Sequence, residues 1–197
     1  MNGPMIVGYG NKASFTSNLN ERNLLEETMM NQMVMDQPKI AKVGEEAPDF
    51  MLNDTEGQPW RLSDKRGQVV ALLFYPQDET LVCTKQMCSV RDKWADYLET
   101  GANVIGISDG TIVEHTQFAA HHRLPLPLLA DSGNDITKIY SHHWWMPAKL
   151  TRAIVIIDAE GRVVSREVMF RAFRPNDDAV IATILSAKTK QLRRGLD

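Results

Sequence analysis

From Lys42 onward the chain alternates short apolar runs with longer segments of helical periodicity, and this alternation constrains the fold more than any other feature. Strands are expected at 49–52 and 60–62, on either side of Asp54-Thr55-Glu56-Gly57, a hairpin turn signal. The continuous apolar run 69–74 reads as a buried strand. A helix over 82–98, a strand over 103–107, a helix over about 111–121, a short strand over 126–129 and a helix over about 133–140 follow. A strand at 152–157 then turns at Asp158-Ala159-Glu160-Gly161 into a strand at about 162–169. After Pro175 a last helix is expected from about 176 to 188. Strand–helix alternation closed by a hairpin and a helix implies a three-layer α/β domain, a central mixed sheet flanked by helices.

The first forty residues differ in kind. Asn, Ser, Gly and Thr dominate to about Asn20, and 21–35 is compatible with a helix carrying Leu24, Leu25, Met29 and Met33 near one face, capped by Asn18 or Asn20. We read 1–40 as an N-terminal extension, partly flexible with one possible helix, or as a dimer-contact arm. The folded domain is assigned to 41–190 and a C-terminal tail to 191–197. With no cysteine or histidine beside them, the methionines of the extension suit packing better than copper.

A hydrophobic content of 43% suffices for a core, and a formal net charge of −3 supplies no basic field for nucleic acid. No stretch has the apolar length of a membrane span, and the first ten residues lack the basic region and apolar core of a secretory signal. Two cysteines are too few for a disulfide framework in a chain of 197 residues; in a reducing compartment such a pair is more often catalytic or metal-binding. On these grounds the protein is expected to be cytoplasmic, a monomer or homodimer, with no membrane or nucleic-acid partner.

Both cysteines lie in Tyr75-Pro76-Gln77-Asp78-Glu79-Thr80-Leu81-Val82-Cys83-Thr84-Lys85-Gln86-Met87-Cys88, directly after the buried strand. Cys83 falls at the strand-to-helix turn, where unpaired N–H groups and the positive end of the helix dipole favour thiolate over thiol. Ideal helix geometry places residues five apart at roughly 8–9 Å between Cα atoms. A disulfide tolerates at most about 7 Å, so Cys83 and Cys88 cannot join while that helix is intact.

Pro76-x-x-x-Thr80-x-x-Cys83 resembles the active-site motif of the peroxiredoxins, and the Cys83-x4-Cys88 spacing resembles the Q-type, or bacterioferritin comigratory protein, branch. Val43-Gly44-Glu45-Glu46-Ala47-Pro48-Asp49-Phe50 looks like the family's opening segment. Leu124-Pro125-Leu126-Pro127-Leu128-Leu129-Ala130-Asp131 looks like its middle strand, and Arg152-Ala153-Ile154-Val155-Ile156-Ile157-Asp158 like the strand bearing its distal arginine. The resemblance covers roughly residues 40–187 and implies a thioredoxin-like fold. It further implies a thiol-dependent peroxidase, an antioxidant of cell redox homeostasis acting on hydrogen peroxide and organic hydroperoxides. Cys83 would be the peroxidatic residue and Cys88 the resolving one, giving an intramolecular disulfide recycled by thioredoxin or a similar dithiol. Thr80 and Arg152 would donate to the peroxide oxygens, and Pro76 would shape and shield the pocket floor. No cofactor or metal is implied.

Arg152, at the start of its strand, could alternatively be a surface-edge residue, and Thr80 a simple helix cap. Arg91 reads as a structural partner of Asp92 or Asp96. Two departures from the family pattern stand out: Leu81-Val82 replaces the usual Pro-Gly, and Gln86 replaces a common glutamate, removing a carboxylate that could pair with an active-site arginine. His121-His122 and His142-His143, with His115, read as exposed helix-end and loop residues, since neighbours in a helix point about 100° apart and neither pair chelates alone. Trp144-Trp145-Met146-Pro147 could flank the pocket and contact the reductant, or pack in the core or at an interface. The alternative function is a copper-handling or redox-sensing thioredoxin-like protein without peroxidase turnover.

Overall fold

The computed structural model describes residues 39–194, with side chains as far as 190. The helix expected at 21–35 and the last three residues of the expected tail, 195–197, lie outside them. Seven strands form one sheet: β1 (Met51–Asp54), β2 (Pro59–Arg61), β3 (Val70–Phe74), β4 (Asn103–Ser108), β5 (Leu128–Ala130), β6 (Thr151–Ile157) and β7 (Val163–Phe170), in the order β2-β1-β5-β4-β3-β6-β7. The pairs β3–β4 and β4–β5 are parallel and the rest antiparallel, so the sheet is mixed as expected. Among the described residues five α-helices accompany it: α1 (Leu81–Asp92), α2 (Trp94–Thr100), α3 (Ile112–His122), α4 (Asp135–Tyr140) and α5 (Asp177–Arg194). None of them is long and apolar enough to cross a membrane.

β3 is apolar throughout because it lies between β4 and β6 and is covered on both faces. The period-2 alternation of a strand divides its side chains between two cores. Ala71, Leu73 and Tyr75 join Cys83, Met87 and Val90 of α1, Phe118 of α3 and Ile184 of α5. Val70, Leu72 and Phe74 face Phe50, Trp60 and Tyr140 on the other side, where Phe74 and Tyr140 stack at 5.6 Å. Gly106 of β4 permits the close fit of the first core: a Cβ there would stand 2.6 Å from Leu128 Cδ2.

The single helix expected over 82–98 is two. Lys93 (φ −103°, ψ 16°) leaves helical geometry between α1 and α2. The apolar spacing runs through this position, so periodicity does not reveal the break. Its consequence is visible in α5, whose buried Asp177 accepts from Ser89 of α1 at 2.5 Å and from Tyr97 of α2 at 2.9 Å. One carboxylate thereby bolts both helices to α5. That last helix also continues to Arg194, past the expected end at 188.

Candidate active site

Tyr75 ends the buried run, and the loop that follows turns sharply. Glu79 has φ 53°, a left-handed conformation rarely adopted by a residue with a side chain. Thr80 is extended (φ −80°, ψ 144°) and starts α1 as its N-cap. Its hydroxyl does not cap the helix but donates to Gln77 O at 3.2 Å. The expectation of a simple side-chain cap therefore fails. The first turn of α1 also contains no acidic residue, so its free N–H groups present uncompensated positive potential. Cys83 is the third residue of that helix and is 1% exposed.

β6 supplies the facing group. Ala153 pairs with Phe74 at the carboxyl end of β3, which sets Arg152 beside the loop. Arg152 is 0% exposed, so it is no surface-edge residue. Its guanidinium donates to Cys83 Sγ at 3.3 Å, to Arg171 O at 3.3 Å and to Gln86 Oε1. Cys83 and Gln86 are three apart on α1 and so share one face of it. None of these acceptors is a carboxylate, and the Arg152 Nε–H has no acceptor at all among the described residues. A buried positive charge is thus aimed at the sulfur with no carboxylate counter-ion among the described residues. A guanidinium so placed can donate to an oxygen brought up to the sulfur and hold charge that develops there.

Cys88 is half-buried on the same helix, and both thiols are free. Arg91 hydrogen-bonds Asp92 Oδ1 at 2.9 Å and the His122 carbonyl at 2.8 Å, the structural role expected of it. Pro76 is half-buried at the base of the loop. The structure brings Cys83, Gln86 and Arg152 into direct contact, with Thr80 at the mouth of the turn. Cys88 remains five residues along an unbroken helix.

A family model described as AhpC/TSA matches residues 43–166. The chain belongs to the AhpC/TSA family. Among curated relatives it is 41% identical over 130 residues to "Peroxiredoxin Q, chloroplastic" of Triticum aestivum, an alignment covering 64% of this chain and 58% of that protein. It is 43% identical over 117 residues to the protein of the same name from Arabidopsis thaliana, covering 58% of this chain and 52% of that one. The chain thus spans somewhat more than half the length of these relatives. Among solved structures, "Peroxidoxin BcpB from Mycobacterium tuberculosis" superposes with a TM-score of 0.64 at 30% identity, covering 74% of this chain and 97% of that chain. The reduced 2-Cys peroxiredoxin of Plasmodium vivax gives 0.67 at 25% identity, covering 76% and 83%. These likenesses bear out the thioredoxin-like fold class and the peroxiredoxin resemblance. They overturn the cytoplasmic expectation, because the curated relatives are named chloroplastic. A basic region followed by an apolar core marks secretion alone; organellar targeting segments have a different composition.

Several residues escaped the sequence reading. His115 is not exposed: it is 0% exposed and its Nδ1 lies 2.5 Å from Asp78 Oδ2. The other oxygen of Asp78 accepts from Tyr75 at 2.8 Å. Burial, with the neighbouring Asp78 charge, pushes the Tyr75 phenol well above its ordinary range, which keeps it a neutral donor. Asp78 therefore anchors the Pro76–Thr80 loop to β3 and α3 together. A cleft of about 300 Å³ beside this anchor is lined by residues including Gln77, Asp109, Gly110 and Gln117, and neither Cys83 nor Arg152 lines it. The adjacent His121 and His122 converge on Glu79, at 3.0 and 3.1 Å, instead of diverging. Trp144 and Trp145 are 85% and 60% exposed, so core packing does not explain them. The position of Gln86 was flagged in the sequence, but its contact with Arg152 required the fold.

Proposed function

We propose that this chain is a thiol-dependent peroxidase that reduces hydrogen peroxide and organic hydroperoxides through Cys83. The observation that carries the reading is the buried Arg152 guanidinium, 3.3 Å from Cys83 Sγ and with no carboxylate partner among the described residues. Sγ, as thiolate, attacks one peroxide oxygen; an S–O bond forms as the O–O bond breaks. Sulfur is oxidised to sulfenic acid, and the second oxygen leaves with a proton as water or alcohol. Arg152 and the first-turn N–H groups of α1 hold the charge that develops on both oxygens. The Thr80 hydroxyl, released from Gln77 O, donates to the entering peroxide, while Pro76 limits access by water.

Resolution follows from Cys88. Its thiolate attacks the Cys83 sulfenic acid, forming an S–S bond and releasing water, and a thioredoxin-like dithiol reduces the disulfide by exchange. This step requires the first turns of α1 to unwind, since the intact helix keeps the two residues too far apart. The chloroplast named for the curated relatives is the compartment that fits this reading. Stopped-flow mixing of the reduced chain with hydrogen peroxide tests it. Consumption of one equivalent per chain, lost in Cys83→Ser, is expected. Equal consumption by Cys83→Ser would sink the assignment.

A further inference from the structure

We propose that Glu79, His121 and His122 form a binding site for a divalent transition-metal ion of the zinc class, and that its occupancy pins the loop leading into Cys83. Their ligating atoms lie within 4.8 Å of one another. Two histidines and one carboxylate, with a fourth position open to water, form a donor set suited to zinc.

Neighbouring helical histidines do not normally share a ligand, and the geometry here shows how these two do. His121 turns its near nitrogen, Nδ1, to Glu79 Oε1, whereas His122 extends its far nitrogen, Nε2, to Glu79 Oε2. The rings stack with centroids 4.4 Å apart, which brings two different reaches to one point. His122 is preset: its ring meets Phe118 edge-on at 5.0 Å, and its carbonyl accepts from Arg91 at 2.8 Å. Its side chain is only 16% exposed, against 70% for His121 and 51% for Glu79. The two exposed groups are therefore free to contract onto the fixed one, reaching the zinc–ligand distances of about 2.0–2.2 Å. A bound ion would replace both imidazole–carboxylate hydrogen bonds.

The position of Glu79 gives the site its consequence. It immediately precedes Thr80, has left-handed backbone geometry, and belongs to the segment that must move if Cys83 is to reach Cys88. A metal tying Glu79 to the end of α3 would leave the first peroxide reaction intact and slow the disulfide step. The metal site stands independently of the peroxidase reading; this consequence rests on it.

Isothermal titration of zinc into the Cys83→Ser/Cys88→Ser chain, which has no thiol ligands, tests the site directly. One ion per chain is expected, with affinity falling at least about tenfold in His121→Gln and in Glu79→Gln. His121 is exposed, so His121→Gln keeps the fold, and circular dichroism checks it. No binding by the double variant, or undiminished binding in His121→Gln, would overturn the site. With thiols present, zinc is expected to slow reductant-driven peroxide turnover of the wild type but not of His121→Gln. Equal slowing of both would place the effect on the cysteines and overturn the pinning. A chain without metal-free turnover would instead refute the peroxidase reading, and the titration would still report on the site.

Discussion

Replacing Arg152 with methionine separates a catalytic arginine from a structural one. Methionine keeps most of the aliphatic stem, whereas alanine would add a cavity and a further 2–5 kcal/mol, roughly, of packing loss. In wild type the guanidinium serves Cys83 Sγ, Gln86 Oε1 and Arg171 O, and its Nε–H has no partner among the described residues. Arg171 is exposed and water can replace its lost donor. Gln86 is 1% exposed, so its oxygen is the acceptor left unpaired, at a cost of about 1–3 kcal/mol. Removing a buried charge without a carboxylate partner offsets that cost, because such exchanges for apolar residues are often neutral. Stability should therefore change by no more than about 1–2 kcal/mol.

The rate should change far more. Loss of one preorganised donor to a developing oxyanion typically costs about 10²–10³ in rate, or about 2.7–4 kcal/mol. Urea denaturation gives the first quantity. Stopped-flow reaction with peroxide under pseudo-first-order conditions gives the second, with tryptophan fluorescence as a possible signal. Arg152→Lys should fall between, since it keeps charge but loses the fork that reaches sulfur and Gln86 together. If Arg152→Met reacts within a factor of about three of wild type, under 1 kcal/mol, the guanidinium is not stabilising the transition state. A large loss of stability at an unchanged rate would make Arg152 a packing residue.

Cys88→Ser should consume the first equivalent of peroxide at the wild-type rate, then stall as sulfenic acid and over-oxidise, which intact-mass spectrometry would show. Unimpaired thioredoxin-driven turnover in that variant would make Cys88 a packing residue. Peptide mapping of the wild type after one equivalent should find Cys83 joined to Cys88 within one chain; a link between two Cys83 residues would refute the proposed resolution. Asp78→Ala leaves Tyr75 and His115 without their shared acceptor and should cost about 3 kcal/mol by urea denaturation. A loss under about 0.5 kcal/mol would show that Asp78 does not anchor the loop.

The elements were legible in the sequence where one period dominated. The buried run of β3, the hairpin around Asp54–Gly57 and the β6–β7 pair follow from period-2 patterning and turn residues. The break at Lys93 was not legible, because tertiary demand imposes it: Ser89 and Tyr97 must both reach Asp177. Nor was the antiparallel pairing of β1 with β5, which joins segments more than seventy residues apart. At the site, Cys83 was marked by its place at a strand–helix turn, and Arg152 by resemblance. Asp78 and His115 carried no local signal, since one lies on a loop and the other on a helix 37 residues later. The convergence of His121 and His122 depends on Glu79, whose unusual backbone angle no side-chain pattern announces.

Under the proposed mechanism Cys83 has two opposed requirements, and α1 divides them along its length. The first reaction needs the sulfur buried against Arg152; the second needs it released toward Cys88. The start of α1 is weakly held. Its N-cap threonine makes no capping bond, which forgoes about 1 kcal/mol, and Glu79 in the left-handed region costs roughly another 1–2 kcal/mol. Farther along, Met87 and Val90 are buried in the core and Ser89 is tied to Asp177. Unwinding is thereby confined to the start of α1, while Cys88 stays next to the anchored part as a fixed target. What closes the turn in the reduced state is the Arg152 contact with Cys83 and Gln86. Once sulfur is oxidised it no longer offers that guanidinium a full negative charge, so the reaction itself weakens the contact that opposes resolution.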